Sequence, residues 1–409
     1  MEHKFVGRNT ELGDFKLGST PKLQPYGARG TSTPWYRGWD LTESERDRFR
    51  QTSRIAKEAK ARALRGDCVL PKHPIPVARL APLELMPLLP SNNLRALSLF
   101  SGCGGLDLGF ERAGYTHVAS YDILKETSEV LSVARPNWEV FSGAAGDVTK
   151  VDWRPYKNKV DVLHGGPPCQ PFSHAGNRKG ADDVRDMVPE FVRAVLAIVP
   201  KAFVMENVSG LATKKFVDYL EAVFFQPLSL KFTIKTFILQ AEDFGVPQRR
   251  KRIFFVGFHK ARYAAKFEAP QKTHSWKQSF GTNLPKTMGT REALGLPQIG
   301  YDDIAPTIRS GWTGPRHTTS VVNSATAMKD WNSLQIWPNG VAATRDAAAA
   351  FVAKDGHFRL SVPDCMVLQG FPDDWPIKPP VYKALGLIGN SVAPPVGYAV
   401  AKAVQDALL

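Results

Sequence analysis

Short, largely apolar runs recur through the middle of the chain, at 96–100, 117–121, 160–163 and 202–205. Runs of that length with little polar alternation predict strands covered on both faces. Between them, amphipathic spacing predicts a helix over 106–113, stopped by Gly114, and another around 187–199. A helix near 216–224 and strands near 234–240 and 252–258 continue the series. Strands alternating with helices predict an α/β fold: a doubly wound parallel sheet with helices on both faces.

The alternation lapses between 258 and 356, where Gly, Pro, Thr, Ser, Trp and Arg dominate, as in Arg309-Ser310-Gly311-Trp312-Thr313-Gly314-Pro315-Arg316-His317. About 100 residues are too many for a passive loop, so a second, smaller domain is expected there. The α/β character returns at 363–368 and closes with a helix over 396–408. Residues 1–93 form a basic N-terminal extension. A helix is expected over 42–65, with Thr42 as N-cap, Glu45 three residues on and Gly66 as stop. Its arginines and lysines surround it too widely for one stripe, which fits a solvated helix and a nucleic-acid arm equally. The proline-rich stretch 71–90 reads as a linker. The expected organisation is 1–93 extension and linker, 94–258 first part of an α/β domain, 259–356 inserted domain, and 357–409 completion of the α/β domain.

Charge changes the picture. Lys and Arg number 53 against 39 Asp and Glu, a net charge of +14, with a pI near 9.6. Such an excess points to a polyanionic partner, most simply nucleic acid. Cys68, Cys103, Cys169 and Cys365 lie far apart with no C-x-x-C pair, so neither a disulfide framework nor a metal site is expected, and a reducing cytoplasm is. The first residues carry charges and no apolar core, so no signal peptide is expected, and no membrane span.

Candidate chemistry clusters at strand ends. Gly165-Gly166-Pro167-Pro168-Cys169-Gln170-Pro171-Phe172-Ser173 follows an apolar strand and presents one thiol behind two stiffening prolines. That suits a nucleophile, although a free cysteine is more often a small buried hydrophobe. Phe100-Ser101-Gly102-Cys103-Gly104-Gly105-Leu106 joins a strand to a helix, where backbone amides can meet a nucleoside cofactor. Its spacing is not that of the dinucleotide fingerprint. Asp122 follows the next strand, placed to accept ribose hydroxyls, and Asp147 is a candidate acceptor for an adenine amino group. Glu206 ends a strand, where burial keeps a carboxyl able to donate a proton. Gln248-Arg249-Arg250-Lys251-Arg252 leads into another strand, with four cationic donors for phosphates and a carbonyl oxygen.

Taken together, F-x-G-x-G-G, P-P-C-Q with F-S, E-N-V, Q-x-R-x-R, Leu368-Gln369-Gly370-Phe371-Pro372 and G-N-S-V-x-P-P resemble, in order and spacing, the DNA cytosine-C5 methyltransferases, over about 94–258 and 357–409. The resemblance implies an S-adenosylmethionine-dependent methyltransferase sheet with a target-recognition domain inserted at 259–356. It implies that Cys169 attacks C6 of cytosine, that Glu206 is the acid at N3, and that Arg252 contacts O2 with Arg250 in support. The cofactor positions it implies are Phe100, Gly102, Cys103, Gly104, Gly105, Leu106, Asp122, Ile123, Asp147, Val148, Pro168, Asn390, Ser391 and Val392. Ile123 departs from members that place a tryptophan on the adenine.

C5 of cytosine is a poor nucleophile. Thiolate addition at C6 with protonation at N3 makes an enamine that accepts a methyl group, and no metal is needed. The base must leave the duplex first. Ser173, Gln248, Arg309, Arg316 and Arg345 are expected at the DNA, the last three as candidate readers of guanine. The partners implied are double-stranded DNA and a cognate restriction endonuclease that shares the site without having to bind. A cytoplasmic monomer associated with the nucleoid is expected. The alternative of a tRNA cytosine-C5 methyltransferase is disfavoured by the long variable region and by Gly356-His357-Phe358-Arg359-Leu360 before the Phe-Pro motif. A catalytically inactive DNA reader is disfavoured by the intact Cys169, Glu206 and Arg252.

Overall fold

The computed structural model describes residues 74–168, 186–277, 283–310, 319–322, 324–350, 356–378 and 380–409, with Asp47, Gln51, Arg54 and Glu58. Those four are helical and exposed. The rest of the helix expected over 42–65 lies outside the described residues.

Seven strands form one sheet in the order β3-β2-β1-β4-β5-β7-β6. They are β1 Arg95–Leu99, β2 Thr116–Asp122, β3 Val140–Ser142, β4 Val162–Gly165, β5 Ala202–Val208, β6 Thr233–Gln240 and β7 Lys251–Phe258. The pairings among β1 to β5 are parallel. The fully parallel sheet expected from the alternation is corrected at β7, which runs antiparallel to both β5 and β6. The physical reason is the connection. Only 241–250 separate β6 from β7, shorter than the dozen or more residues of a parallel crossover.

Helices cover both faces. On one side α1 Gly105–Arg112 and, at the β2–β3 edge, α2 Glu126–Ala134 pack with the apolar residues of the C-terminal helices; on the other lies α3 Val188–Ile198. Side-chain alternation divides β5 and β7 between the two cores: Ala202, Val204, Phe254 and Val256 enter the first, and Phe203, Met205, Ile253 and Phe255 the second. The helix expected near 216–224 is present as one uninterrupted run, Val217–Leu220, the π-helical Glu221–Phe225 and Gln226–Ser229.

In the inserted segment, α4 Ala325–Ser333 packs by β8 Ile336–Ala342, which pairs with β9 Phe358–Ser361. Its buried Trp331, Leu334, Ile336 and Val341 join the same core as the C-terminal helices. Three of these follow: α5 Val362–Gln369, α6 Val381–Asn390 and α7 Pro394–Leu408. Ser361 and Asp364 form a capping box that starts α5, and Gly370, at φ +87, ends it. The apolar stretch Val381–Leu408 is long enough to cross a membrane, with mean hydropathy 1.2, but it breaks between α6 and α7 and is largely buried in this core. Neither α2, α6 nor β3 was singled out by the periodicity.

Candidate active site

β1 has β2 on one side and β4 on the other, so the order of strands reverses between β1 and β4. In such sheets the crevice beyond the carboxyl ends of those two strands is the binding site. The loop 100–105 leaves β1 there, and the loop beginning at Gly166 leaves β4.

The first loop is shaped by left-handed backbone. Phe100 has φ +57, Gly102 +56 and Gly104 +83. A methyl group added at Gly102 would meet nothing within 4 Å, so the turn faces open space. Asp122 fastens the loop: its Oδ2 accepts from the Gly102 amide at 2.7 Å and its Oδ1 from the Leu124 amide at 2.8 Å. Burial pushes this carboxyl up to about 6, against both amides. Trp375 Nε1 donates to the Cys103 carbonyl at 2.9 Å. Cys103 Sγ is buried 3.4 Å from the Leu387 carbonyl, and burial raises its thiol to about 12, so Cys103 is no thiolate.

The residue opening α1 explains the doubled glycine. A Cβ at Gly105 would lie 2.1 Å from Ser391 Oγ and 2.2 Å from the Val392 carbonyl. The turn 390–392 therefore meets the cofactor loop directly, with Leu106 and Val392 buried beside it. Asp147 accepts from the Thr149 amide at 3.1 Å and lies 3.0 Å from Lys150. Burial raises its pKa, but Thr149 and Lys150 outweigh burial and hold it below the usual range. Val148 is buried, Ile123 is half-buried, and Pro168 is half-buried on the second loop. Open space at Gly102, aligned amides and a carboxylate at the next strand end fit a nucleoside cofactor.

Glu206 and Arg252, expected as the acid and the base contact, come from neighbouring strands. Glu206 lies within β5, since that strand runs through Val208 rather than ending at Met205. Its carboxylate is buried, with Oε1 2.8 Å from Arg252 Nε. Burial raises its pKa, and Arg252 and Arg250 only partly offset this. The Glu206 side chain also lies against the second loop, where a Cβ at Gly166 would be 2.9 Å from Oε2. Asn207 Nδ2 donates to the Pro167 carbonyl at 3.1 Å. Glu206 and Asn207 thus grip the loop three and two residues before Cys169. Cys169, Ser173 and Arg316 lie outside the described residues.

Two expected DNA contacts are corrected. Gln248 is fully buried, its Nε2 donating to the Leu368 carbonyl at 3.0 Å and to Gln369 Oε1 at 2.8 Å. Arg345 ion-pairs with Asp364 at 3.0 Å and Asp373 at 2.8 Å. Both serve the fold, because a buried polar group lacking partners is costly. The four donors expected to hold phosphates and a carbonyl oxygen are engaged separately. Arg249 pairs with Asp303 and Asp330 of the inserted segment, Arg250 holds the Gly389 and Ser391 carbonyls, and Arg252 meets Glu206. Lys251 is exposed. Arg309 is half-buried, and its amide donates to the Val321 carbonyl at 3.2 Å. Sequence reasoning assigned no role to Asn207 or Gln369. Both lie in motifs of the sequence, but their bonds reach residues distant in sequence, so the motifs did not give their partners.

A switch-point crevice, a glycine-rich turn and a buried acid against the loop after β4 define an α/β enzyme with room for a nucleoside cofactor. The profile of the C-5 cytosine-specific DNA methylases matches residues 94–406. Type II methyltransferase M.NgoMIV of Neisseria gonorrhoeae is 34% identical over 319 residues, covering 76% of this chain and 97% of the relative. M.NgoPII of the same organism is 27% identical over 337 residues, covering 78% and 97%. Among solved structures, the Entamoeba histolytica methyltransferase EhMeth matches with TM-score 0.54 at 16% identity, over 78% of this chain and 99% of that one. That likeness is one of fold. The chain belongs to the C-5 cytosine-specific DNA methylases. It transfers a methyl group from S-adenosylmethionine to C5 of cytosine in DNA.

Proposed function

We propose that the chain methylates one cytosine, flipped out of a specific duplex site, through a covalent adduct on Cys169, and that it protects host DNA from a partner restriction nuclease. The observation that carries the catalytic part is the grip of Glu206 and Asn207 on Gly166 and Pro167, just before Cys169. A base entering this crevice meets the buried Glu206 carboxyl, whose pKa burial raises, beside the loop that leads to Cys169. Cys169 adds to C6 while Glu206 delivers a proton to N3, which leaves C5 electron-rich. Arg252 holds O2 and, at 2.8 Å, keeps the Glu206 carboxyl aimed. Residues 100–106 and the turn 390–392, with Asp122 and Asp147, would hold S-adenosylmethionine, which would supply the methyl group when bound. A base then takes the C5 proton, the Cys169 thiolate leaves C6 as the C5–C6 double bond re-forms, and N3 returns its proton to Glu206.

The inserted segment 259–356 is the reader of the DNA sequence in this proposal, with Arg309 and Arg316 as its candidate base contacts. Duplex DNA is favoured over tRNA by relatives named Type II methyltransferases and by the length of the inserted segment. The same relatives favour a restriction–modification role, and with it a cytoplasmic monomer acting at the nucleoid.

Duplex DNA containing 5-fluorocytosine tests the proposal, because fluorine cannot leave as a proton does. A stable adduct on Cys169 is expected. An adduct on Cys103 or Cys365, or transfer of labelled methyl to tRNA in preference to duplex DNA, overturns it.

A further inference from the structure

A buried polar joint connects the inserted segment to the turn that touches the cofactor loop. It starts at Ile308, whose amide donates to Gln248 Oε1 at 3.2 Å. Gln248 Nε2 donates to Gln369 Oε1 at 2.8 Å. Gln369 Nε2 in turn donates to the Ser391 carbonyl at 2.7 Å. Arg250 Nη2 donates to the same carbonyl at 2.6 Å and to the Gly389 carbonyl at 2.8 Å. Gln248 and Gln369 have no exposed surface, and Arg250 is 2% exposed.

Backbone packing closes both ends. A Cβ at Gly389 would lie 2.4 Å from the Ser310 amide nitrogen, so α6 rests directly on the inserted segment. At the other end Ser391 and Val392 press on Gly105. Every step from Ser310 to Gly105 is therefore a hydrogen bond or a backbone contact without slack. Close-packed interiors transmit displacement instead of absorbing it.

We propose that Gln369 is a positioning residue that couples DNA engagement by the inserted segment to cofactor binding at Gly105. It is fully buried, so it acts through its neighbours. Its amide has two polar ends, one facing the strand that carries Arg252 and one facing the turn 390–392. Rotation of either neighbour breaks one of its bonds in a site closed to water, and an unmade buried hydrogen bond is costly. The joint is stiff when the inserted segment is held, and stiffness at Ser391 fixes the wall of the cofactor turn. Coupling of this kind is reciprocal.

The inference rests on the reading of 259–356 as the DNA-engaging segment. The test uses the full chain, a synthetic duplex carrying the site found by methylation mapping, and S-adenosylhomocysteine as cofactor probe. In the wild type, saturating duplex is expected to tighten the probe about fivefold or more, the lower range of allosteric coupling. Hydrogen exchange should slow at 304–310 and also at 388–392 on adding duplex alone. Gln369→Glu keeps the acceptor for Gln248 and removes the donor to Ser391. It should leave the slowing at 304–310, lose that at 388–392, and reduce the coupling to within about twofold. Gln369→Met, similar in volume but without a polar end, should do the same if the glutamate variant does not fold. Unchanged coupling in a folded variant, or none in the wild type, overturns the role of Gln369. Absence of slowing at 304–310 in both proteins instead overturns the reading of the segment.

Discussion

Arg252 Nε stands 2.8 Å from Glu206 Oε1 because β7 runs against β5. Val208 lies opposite Arg252 and Glu206 opposite Phe254, which sets Glu206 and Arg252 diagonally on one face, within reach for a long side chain. In a parallel arrangement the first residues of β7 would sit at the far edge of the sheet from Glu206. The reversed strand is what delivers the arginine to the crevice.

Glu206→Gln removes the proton donor while leaving a group of the same shape beside Gly166 and Arg252. Turnover should fall about 10²-fold or more, the scale of a lost general acid, with much less change in DNA affinity. Single-turnover methylation and a filter-binding titration separate the two. Turnover within a few-fold of wild type would mean that N3 is protonated from elsewhere.

The two glycines of the cofactor turn should fail differently. Gly105→Ala drives a methyl into Ser391 Oγ and the Val392 carbonyl, and overpacking of this kind costs about 1–3 kcal/mol. It should also displace the turn 390–392 and weaken S-adenosylmethionine binding strongly. Gly102→Ala has room but sits at φ +56, so its cost to stability is only the backbone strain, about 1 kcal/mol. Calorimetric titration of cofactor together with urea unfolding checks both.

Arg345→Ala should unfold the protein more readily without altering which sequence is methylated. It leaves Asp364, with 1% of its side chain exposed, as an uncompensated buried charge, a loss of about 3–5 kcal/mol. Methylation sequencing of DNA from cells expressing the variant reads specificity. Relaxation at one base position would restore Arg345 as a base reader.

Asp107 predicts a pH dependence. Its Oδ1 accepts from Ser120 Oγ at 2.7 Å, and the side chain is buried. Burial, opposed by the Ser120 and Ser98 hydroxyls, raises this carboxyl from 3.8 to about 6. A carboxyl raised by folding contributes stability that is complete below its unfolded value and is lost as pH rises through the folded one. Asp107→Asn cannot titrate, so its stability relative to wild type should improve between pH 4 and pH 7. Urea unfolding at several pH values measures this, and a flat difference would show that Asp107 holds its charge throughout.

By itself the sequence determined the alternation of strands and helices and the short motifs at strand ends. Both are local: burial on two faces demands an unbroken apolar run, and a tight turn demands glycine, whatever lies elsewhere in the chain. The strand Arg95–Leu99 and the glycine turn that follows it were legible for that reason. Strand direction was not, since a run of apolar residues reads the same either way, and only the short connection 241–250 and the pairing with β5 reversed β7. The fate of each long polar side chain was equally hidden. Gln248 and Arg345 are written like surface residues, yet Gln248 meets Gln369, and Arg345 meets Asp364 and Asp373. Which polar groups are buried, and with whom, depends on what the fold brings to them from far along the chain, and that was decided by tertiary packing alone.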